Sequence, residues 1–149
     1  MRAVIQRVRD ARVSVGDETT GHIEHGLLVY AAAAPDDTDD DVQYIAEKVA
    51  HLRIFPDARD KMNLSVIDAD GSVLVVSAFT VQADARRGRR PSFDSSAPGS
   101  VAEPLVDKLV AAIRDFGLTV ETGRFAAHML VSSINHGPIC VLLDSRRIL

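Results

Sequence analysis

Cysteine occurs once in the 149 residues, at Cys140. A single thiol excludes an internal disulfide and a cysteine-built zinc site, and it fits a reducing, cytoplasmic setting. Tryptophan is absent and aromatic residues make up only 5% of the chain. Long apolar runs are missing as well. The longest, "GLLVYAAAA" from Gly26, falls far short of the ~20 residues of a membrane-spanning helix, so no membrane partner is expected. The opening "MRAVIQRV" is too short and too charged for a secretory leader. The five histidines show no HxxxH or HxH spacing, and we expect neither a metal nor any other cofactor. An excess of positive charge is also lacking. The net charge of −4 argues against a surface that coats nucleic acid broadly, while a local basic patch remains open.

What is present is ordinary for a folded domain: 46% apolar and 26% charged residues, enough for one core over residues 1–149. "AVIQRV" and "ARVSV" read as strands separated from their successors by Gly16-Asp17 and Gly21, with Val13 and Val15 alternating against polar neighbours. "GLLVYAAAA" reads as a buried strand. The acidic run "PDDTDDD" precedes a helical pattern of Val42, Ile45, Ala46, Val49 and Leu52; acids at a helix start favour its dipole. "NLSVIDADGSVLVV" reads strand, Asp-Gly turn, strand. A second helix is expected over roughly 101–116, with Val101, Leu105, Leu109, Ile113 and Phe116 on one stripe. Ser100 and Glu103 have capping-box spacing, and Pro104 fits a helix interior poorly. "LTVET", "HMLVSS" and "PICVLLD" complete the chain as strands. The fold class is therefore α+β: one compact domain, a mainly antiparallel or mixed sheet packed with two helices.

Three stretches could carry chemistry. "SAFTV", Ser77 to Val81, ends an apolar strand and enters the longest irregular segment, a common place for a site. Thr80 there suits a nucleophile or a substrate-positioning group, and Ser77 and Thr80 also suit simple capping of the strand end. Cys140 beside "HGP" suggests a dyad with His136 or His128, but a cysteine between Ile139 and Val141 reads better as a small core residue. "RRGRRPSF" places Arg86, Arg87, Arg89 and Arg90 within five residues. On an acidic protein that cluster reads equally as a phosphate-contacting loop and as a solvated loop balancing nearby acids.

These residues also carry a resemblance. The chain resembles the D-aminoacyl-tRNA deacylases, the D-tyrosyl-tRNA deacylase family, nearly end to end. The likeness runs through "AVIQRV", "GLLVY", "LRIFPDARDKMNLSV", "GSVLVVSAFTV", "RRGRRPSF" and "TGRFAAHMLVSSINHGP". "SAFTV" resembles that family's Ser-Gln-Phe-Thr-Leu motif, and "NHGPIC", which begins at Asn135, resembles its Asn-X-Gly-Pro-Val-Thr motif. The resemblance implies hydrolysis of the ester joining a D-amino acid to the terminal ribose of tRNA. It also implies a homodimer with active sites at the subunit interface. In the family a cis Gly-Pro pair, here Gly137 and Pro138, enters the neighbouring subunit's site. Its carbonyls crowd the side of the α-carbon where an L side chain would lie, so that D-aminoacyl and glycyl esters fit. Arg7 matches the arginine that orients the pair.

The resemblance further implies a site at Ser77, Ala78, Phe79 and Thr80, where backbone amides would face the oxyanion of the tetrahedral intermediate. Thr80 is the matched positioning group or nucleophile, and the RNA's own 2′-hydroxyl helps activate water. Asn135 and the four arginines fall to substrate and tRNA acceptor-end binding. Two positions depart from the motifs: Ala78 stands where the family has glutamine and Cys140 where it has threonine. Two other readings remain open, a related tRNA-editing deacylase with shifted selectivity and a non-catalytic aminoacyl-tRNA-binding protein.

Overall fold

The computed structural model describes residues 1–148. Its spine is β1 (Arg2–Val15), whose two halves serve different partners. Residues 2–8 pair antiparallel with β3 (Gly26–Ala32), and residues 11–15 with β2 (Glu18–Ile23). The opposite edge of β1 is covered along its length by β8 (Leu130–Asp144). β3 continues the sheet in parallel to β6 (Ser72–Ser77), which pairs in parallel with β7 (Val120–Thr122). The sheet curls until β2 lies over β7. A Cβ on Gly21 would sit 2.5 Å from the Thr122 carbonyl oxygen, so only glycine allows that near-closure.

The continuous apolar character of "GLLV" and "VLVV" follows from burial on both faces, as parallel strands require. One face packs on α1 (Asp39–His51) and α2 (Gly99–Arg114), with Ile5, Leu27, Val29, Ile45, Val49, Leu109 and Ile113 between them. The other face closes the barrel-like interior around Val8, Val13, Leu28 and Leu74. β1 supplies both layers because its inward parity changes after Arg7. Met1, Ala3, Ile5 and Arg7 are buried, then Val8, Ala11 and Val13. The change coincides with a bulge: Val8 faces Asn135 and Asp10 faces Ile134, leaving Arg9 with no partner on β8.

The expected class, α+β with two helices and a mixed sheet, is the one observed. Five local expectations differ. Gly21 makes no turn; it lies inside β2, paired with Val13. The Asp-Gly step does not turn a hairpin: β5 (Met62–Leu64) pairs with β4 (Phe55–Pro56), and β6 departs to join β3. Ile67 thus lies in a turn, with Asp68 accepting from the Ser65 amide at 2.9 Å and the Ser65 hydroxyl at 2.7 Å. α2 begins at Gly99 with Pro98 as N-cap and no side-chain cap, so Ser100 and Glu103 form no capping box. Pro104 is carried inside the helix. The stretches "HMLVSS" and "PICVLLD" are one strand, β8, interrupted rather than ended. Cys140 is exposed and not in the core, because β8, paired edge to edge with β1, turns Ile139, Val141 and Leu143 to the core and leaves Cys140 and Leu142 outward. Among the described residues no helix is long and apolar enough to cross a membrane.

Candidate active site

The end of β6 opens into a cavity of ≈ 690 Å³. Ser77 still pairs with Ala31. The next amide, Ala78 N, donates to the Ala31 carbonyl at 2.9 Å. The chain then turns through a single 3-10 turn, Phe79–Gln82. That turn is braced from below and behind. Gln82 Nε2, in a buried side chain, donates to Ala32 O at 3.3 Å, Ser95 Oγ to Gln82 O at 2.6 Å and Ser96 Oγ to Phe79 O at 3.0 Å. First-turn amides of any helix have no intrahelical acceptor, and among the described residues the N–H groups of Phe79 and Thr80 donate to no other backbone carbonyl, which leaves them as donors here. Ala78, counted in sequence among the oxyanion donors, has its amide already committed.

Around this turn the cavity is lined by Tyr30, Ala102, Val106, Phe125, His128 and Met129 together with the motif residues Ser77 to Thr80. No carboxylate, lysine or arginine is among the lining residues, and His128 is their only imidazole. α2 opens onto the same space through Gly99 and Ala102, which puts the positive end of its dipole toward any charge developing there. Burial pushes the Tyr30 phenol up from its ordinary value. Phe79, 57% exposed, meets Phe93 of the arginine-bearing loop edge-to-face at 5.0 Å. The loop is therefore tied to the rim of the cavity. Within it Arg86 is held by Asp84 at 2.6 Å, while Arg87, Arg89 and Arg90 are exposed and enter no ion pair among the described residues. The Arg86 guanidinium holds the Asp84 carboxyl well below its usual range.

The second motif lies elsewhere. Gln6 faces Cys140 and Val8 faces Asn135, so residues 136–139 loop out of β8 opposite Arg7 alone. Gly137–Pro138 is a cis peptide, and Gly137 has φ +139°. A Cβ at Gly137 would lie 2.6 Å from Ile139 Cγ1 and 3.0 Å from Arg7 Nη2. The base of the loop-out is pinned by Asn135 Nδ2, which donates to Ile139 O at 2.9 Å and to Arg7 O at 3.2 Å. Arg7 is buried; its Nε donates to His136 O at 2.9 Å and its Nη1 to the Ile54 carbonyl. Cys140 Sγ is met by Gln6 Nε2 at 4.0 Å and not by a histidine.

Neither Gly137 nor Pro138 lines the cavity of their own chain. Arg7 is level with Leu27 and hence with Val73, four residues before Ser77, and β8 is three strands from β6. At about 3.3 Å per residue and about 4.8 Å per strand, that separates the two motifs by roughly 20 Å. The structure brings Arg7, Asn135, Gly137 and Pro138 together, and Ser77, Ala78, Phe79 and Thr80 together, but not one group with the other. Tyr30, Phe125 and Met129 were given no role by the sequence reading, and His128 was weighed only as a partner for Cys140, which it does not meet. The available signal was the non-strand stretch "GRFAAHM" between two strands, where Ala126 adopts φ +57°, a backbone region non-glycine residues rarely occupy.

A family described as D-Tyr-tRNA(Tyr) deacylase matches residues 4–144. A "D-aminoacyl-tRNA deacylase" of Thermosipho africanus is 51% identical over 148 residues, covering 99% of each chain. Among solved structures, the "c-Myc DNA Unwinding Element Binding Protein" superposes with a TM-score of 0.91 at 32% identity, covering 97% of this chain and 98% of that one. A "probable eukaryotic D-amino acid tRNA deacylase" superposes with 0.84 at 16% identity, covering 96% and 98%, and shares the fold.

Proposed function

Since this chain belongs to the D-Tyr-tRNA(Tyr) deacylase family, hydrolases acting on aminoacyl-tRNA, we propose that it clears D-aminoacyl-tRNA, and glycyl-tRNA with it, using a site completed by a second copy of itself. The observation that carries this reading is the separation of the two motifs. Ser77 to Thr80 border a cavity that Gly137 and Pro138 of the same chain do not reach. An isologous dimer resolves this symmetrically, each copy lending its Gly-Pro tip to the other's cavity. The outward face of β8 supports such pairing, with Leu130 65%, Ile134 59% and Leu142 60% exposed. A strand of 15 residues with bare apolar side chains is the kind of surface that a partner covers.

In the reaction, water attacks the ester carbonyl and the carbonyl oxygen takes on negative charge. The free amides of Phe79 and Thr80, backed by the N-terminus of α2, are oriented donors for that oxygen. The terminal ribose leaves with its hydroxyl protonated. The cavity lining holds no carboxylate and a single imidazole, that of His128; in this reading the substrate's vicinal 2′-hydroxyl assists the attacking water. Thr80, exposed at the rim, positions the substrate. The Gly137–Pro138 carbonyls face the α-carbon and leave room for hydrogen but not for a side chain of L configuration. Backbone atoms discriminate rigidly because they cannot rotate away, and Arg7 and Asn135 hold the tip. Ala78 contributes its methyl group only, its amide being bonded to Ala31.

The test is deacylation of matched D-, L- and glycyl-tRNA by the purified protein, beside its sedimentation mass. The reading expects release from the D and glycyl esters, none from L, and a mass twice that of the 16.1 kDa chain. Release from L esters would favour an editing enzyme of other selectivity, and binding without release a non-catalytic tRNA-binding protein.

A further inference from the structure

Two interior residues of β1 lack a partner on β8: Arg7, opposite the loop-out, and Arg9, which a bulge leaves between Val8–Asn135 and Asp10–Ile134. A bulge re-aims the side chain it carries. This one lies next to the loop-out of residues 136–139, so two irregularities meet at the Gly-Pro tip. The Arg9 guanidinium is exposed and makes no ion pair among the described residues. Its Nη2 lies 3.4 Å from His136 Nε2. Arginine can only donate, so Nε2 accepts, and in the neutral ring the proton sits on Nδ1. That nitrogen is buried without a partner, which leaves Arg9 as the ring's one polar side-chain contact among the described residues. Burial and the nearby Arg7 and Arg9 hold His136 below its ordinary pKa, with His25 acting the same way and Asp60 opposing. The imidazole is thus a neutral acceptor, and the free charge beside the tip belongs to Arg9.

We propose that Arg9, oriented by His136, contacts an RNA phosphate at the 3′ end of the tRNA whose ester occupies the partner copy's cavity. This rests on the reading that the Gly-Pro tip enters that cavity. The tip meets the aminoacyl group at the terminal ribose, and that ribose carries a phosphate on its 5′ side, within a side chain's length of the ester. An unpaired guanidinium at the base of the tip matches it in charge and in planar, two-donor geometry. His136 acts as a positioning residue, since it touches Arg9 and not the RNA.

The proposal is tested with two substrates, a D-aminoacyl-tRNA and the corresponding D-aminoacyl-adenosine, which keeps the ester and ribose but has no phosphate. Arg9→Gln is expected to lower kcat/KM on the tRNA substrate by about tenfold, the size of one lost charge-assisted contact, with at most about a twofold change on the adenosine ester. The slope of log affinity for uncharged tRNA against log salt should shrink by about 0.7, the value for one single-strand phosphate contact. Arg9→Lys should restore that slope, and His136→Leu should lower kcat/KM on tRNA without changing it on the adenosine ester. Equal losses on both substrates, or an unchanged salt slope in Arg9→Gln, would overturn the proposal while leaving the deacylase reading intact. A wild-type protein that cleaves neither ester would remove that reading and this proposal together.

Discussion

Replacing Arg7 tests whether the Gly-Pro tip is held from within its own chain. Arg7 is 6% exposed, and its guanidinium bridges two carbonyls, His136 O at the base of the tip and Ile54 O at the end of the α1 connection. Arg7→Met keeps most of the buried stem and removes both donations. Hydrogen bonds from a charged group are worth about 1.5–3 kcal/mol each, and part of the loss is recovered because a buried charge is also removed. A net destabilisation of about 2–4 kcal/mol follows, a large fraction of the ~5–15 kcal/mol of a typical domain but not all of it. In urea, with a slope of about 1–3 kcal/mol per molar, the midpoint should fall by roughly 1–2 M. Selectivity should suffer more than rate. A tip freed from His136 no longer presents its carbonyls at a fixed place, so the L-to-D ratio of kcat/KM should rise about tenfold or more, ~1.4 kcal/mol of lost discrimination. Arg7→Lys, a point donor in place of a fork, should recover about half of the stability and little of the selectivity. An Arg7→Met protein with an unchanged urea midpoint and an unchanged L-to-D ratio would refute the reasoning.

Three further outcomes are expected. Thr80→Ala should keep substantial single-turnover activity on D-aminoacyl-tRNA, while a substrate whose terminal ribose lacks the 2′-hydroxyl should react far more slowly; complete loss in the variant with full activity on the deoxy substrate would make Thr80 the chemical group. Because Arg86 is tied to Asp84, Arg87→Ala with Arg89→Ala should flatten the salt dependence of tRNA binding by about 1.4, two single-strand contacts, whereas Arg86→Ala should change it less; equal slopes in wild type and double variant would exclude the loop. Burial raises the Asp41 pKa, but hydrogen bonds from Ser145 and Thr38 outweigh it and hold the carboxyl at about 2, below its ordinary 3.8. A depressed carboxylate stabilises the fold above its unfolded pKa and loses that contribution as pH falls through the folded value, so stability should decline from about pH 4 to pH 2, and Asp41→Asn should flatten that limb in acid titrations followed by circular dichroism.

The fold was legible where periodicity and burial agree. Val42, Ile45, Ala46 and Val49 are buried on the α1 face that their spacing indicates, and "GLLV" is buried on both faces as its unbroken apolar run requires. It was less legible where a local signal competed with a tertiary one. Asp70-Gly71 looks like a hairpin turn, yet the parallel pairing of β6 with β3 draws the second strand away. Ser100 and Glu103 have cap spacing, yet α2 begins earlier at Gly99, where the chain leaves the Ala33–Ala97 contact. At the candidate site, the two motifs mark the segments that form the two clusters, and the run of arginines marks an exposed loop whose Phe93 meets Phe79 at the cavity rim. The cavity wall was not visible, because Tyr30, Phe125 and Met129 look like ordinary core residues until the curled sheet and α2 leave space between them. Nor could sequence reveal that Ala78 N is occupied, or that Arg9 is bulged.

Subunit complementation tests most directly whether the site is shared between two copies. Thr80→Trp fills the cavity mouth, and Gly137→Phe puts a ring on the tip where φ is +139° and a Cβ already meets Ile139 and Arg7. Each variant alone should be nearly inactive on D-aminoacyl-tRNA. Mixed in equal amounts and allowed to exchange, half of the dimers carry one subunit of each kind, and each such dimer has one intact cavity facing one intact tip. Activity should therefore return to about a quarter of wild type. A mixture that exchanges subunits by mass yet stays inactive, or a Gly137→Phe dimer that keeps full activity, would contradict the account.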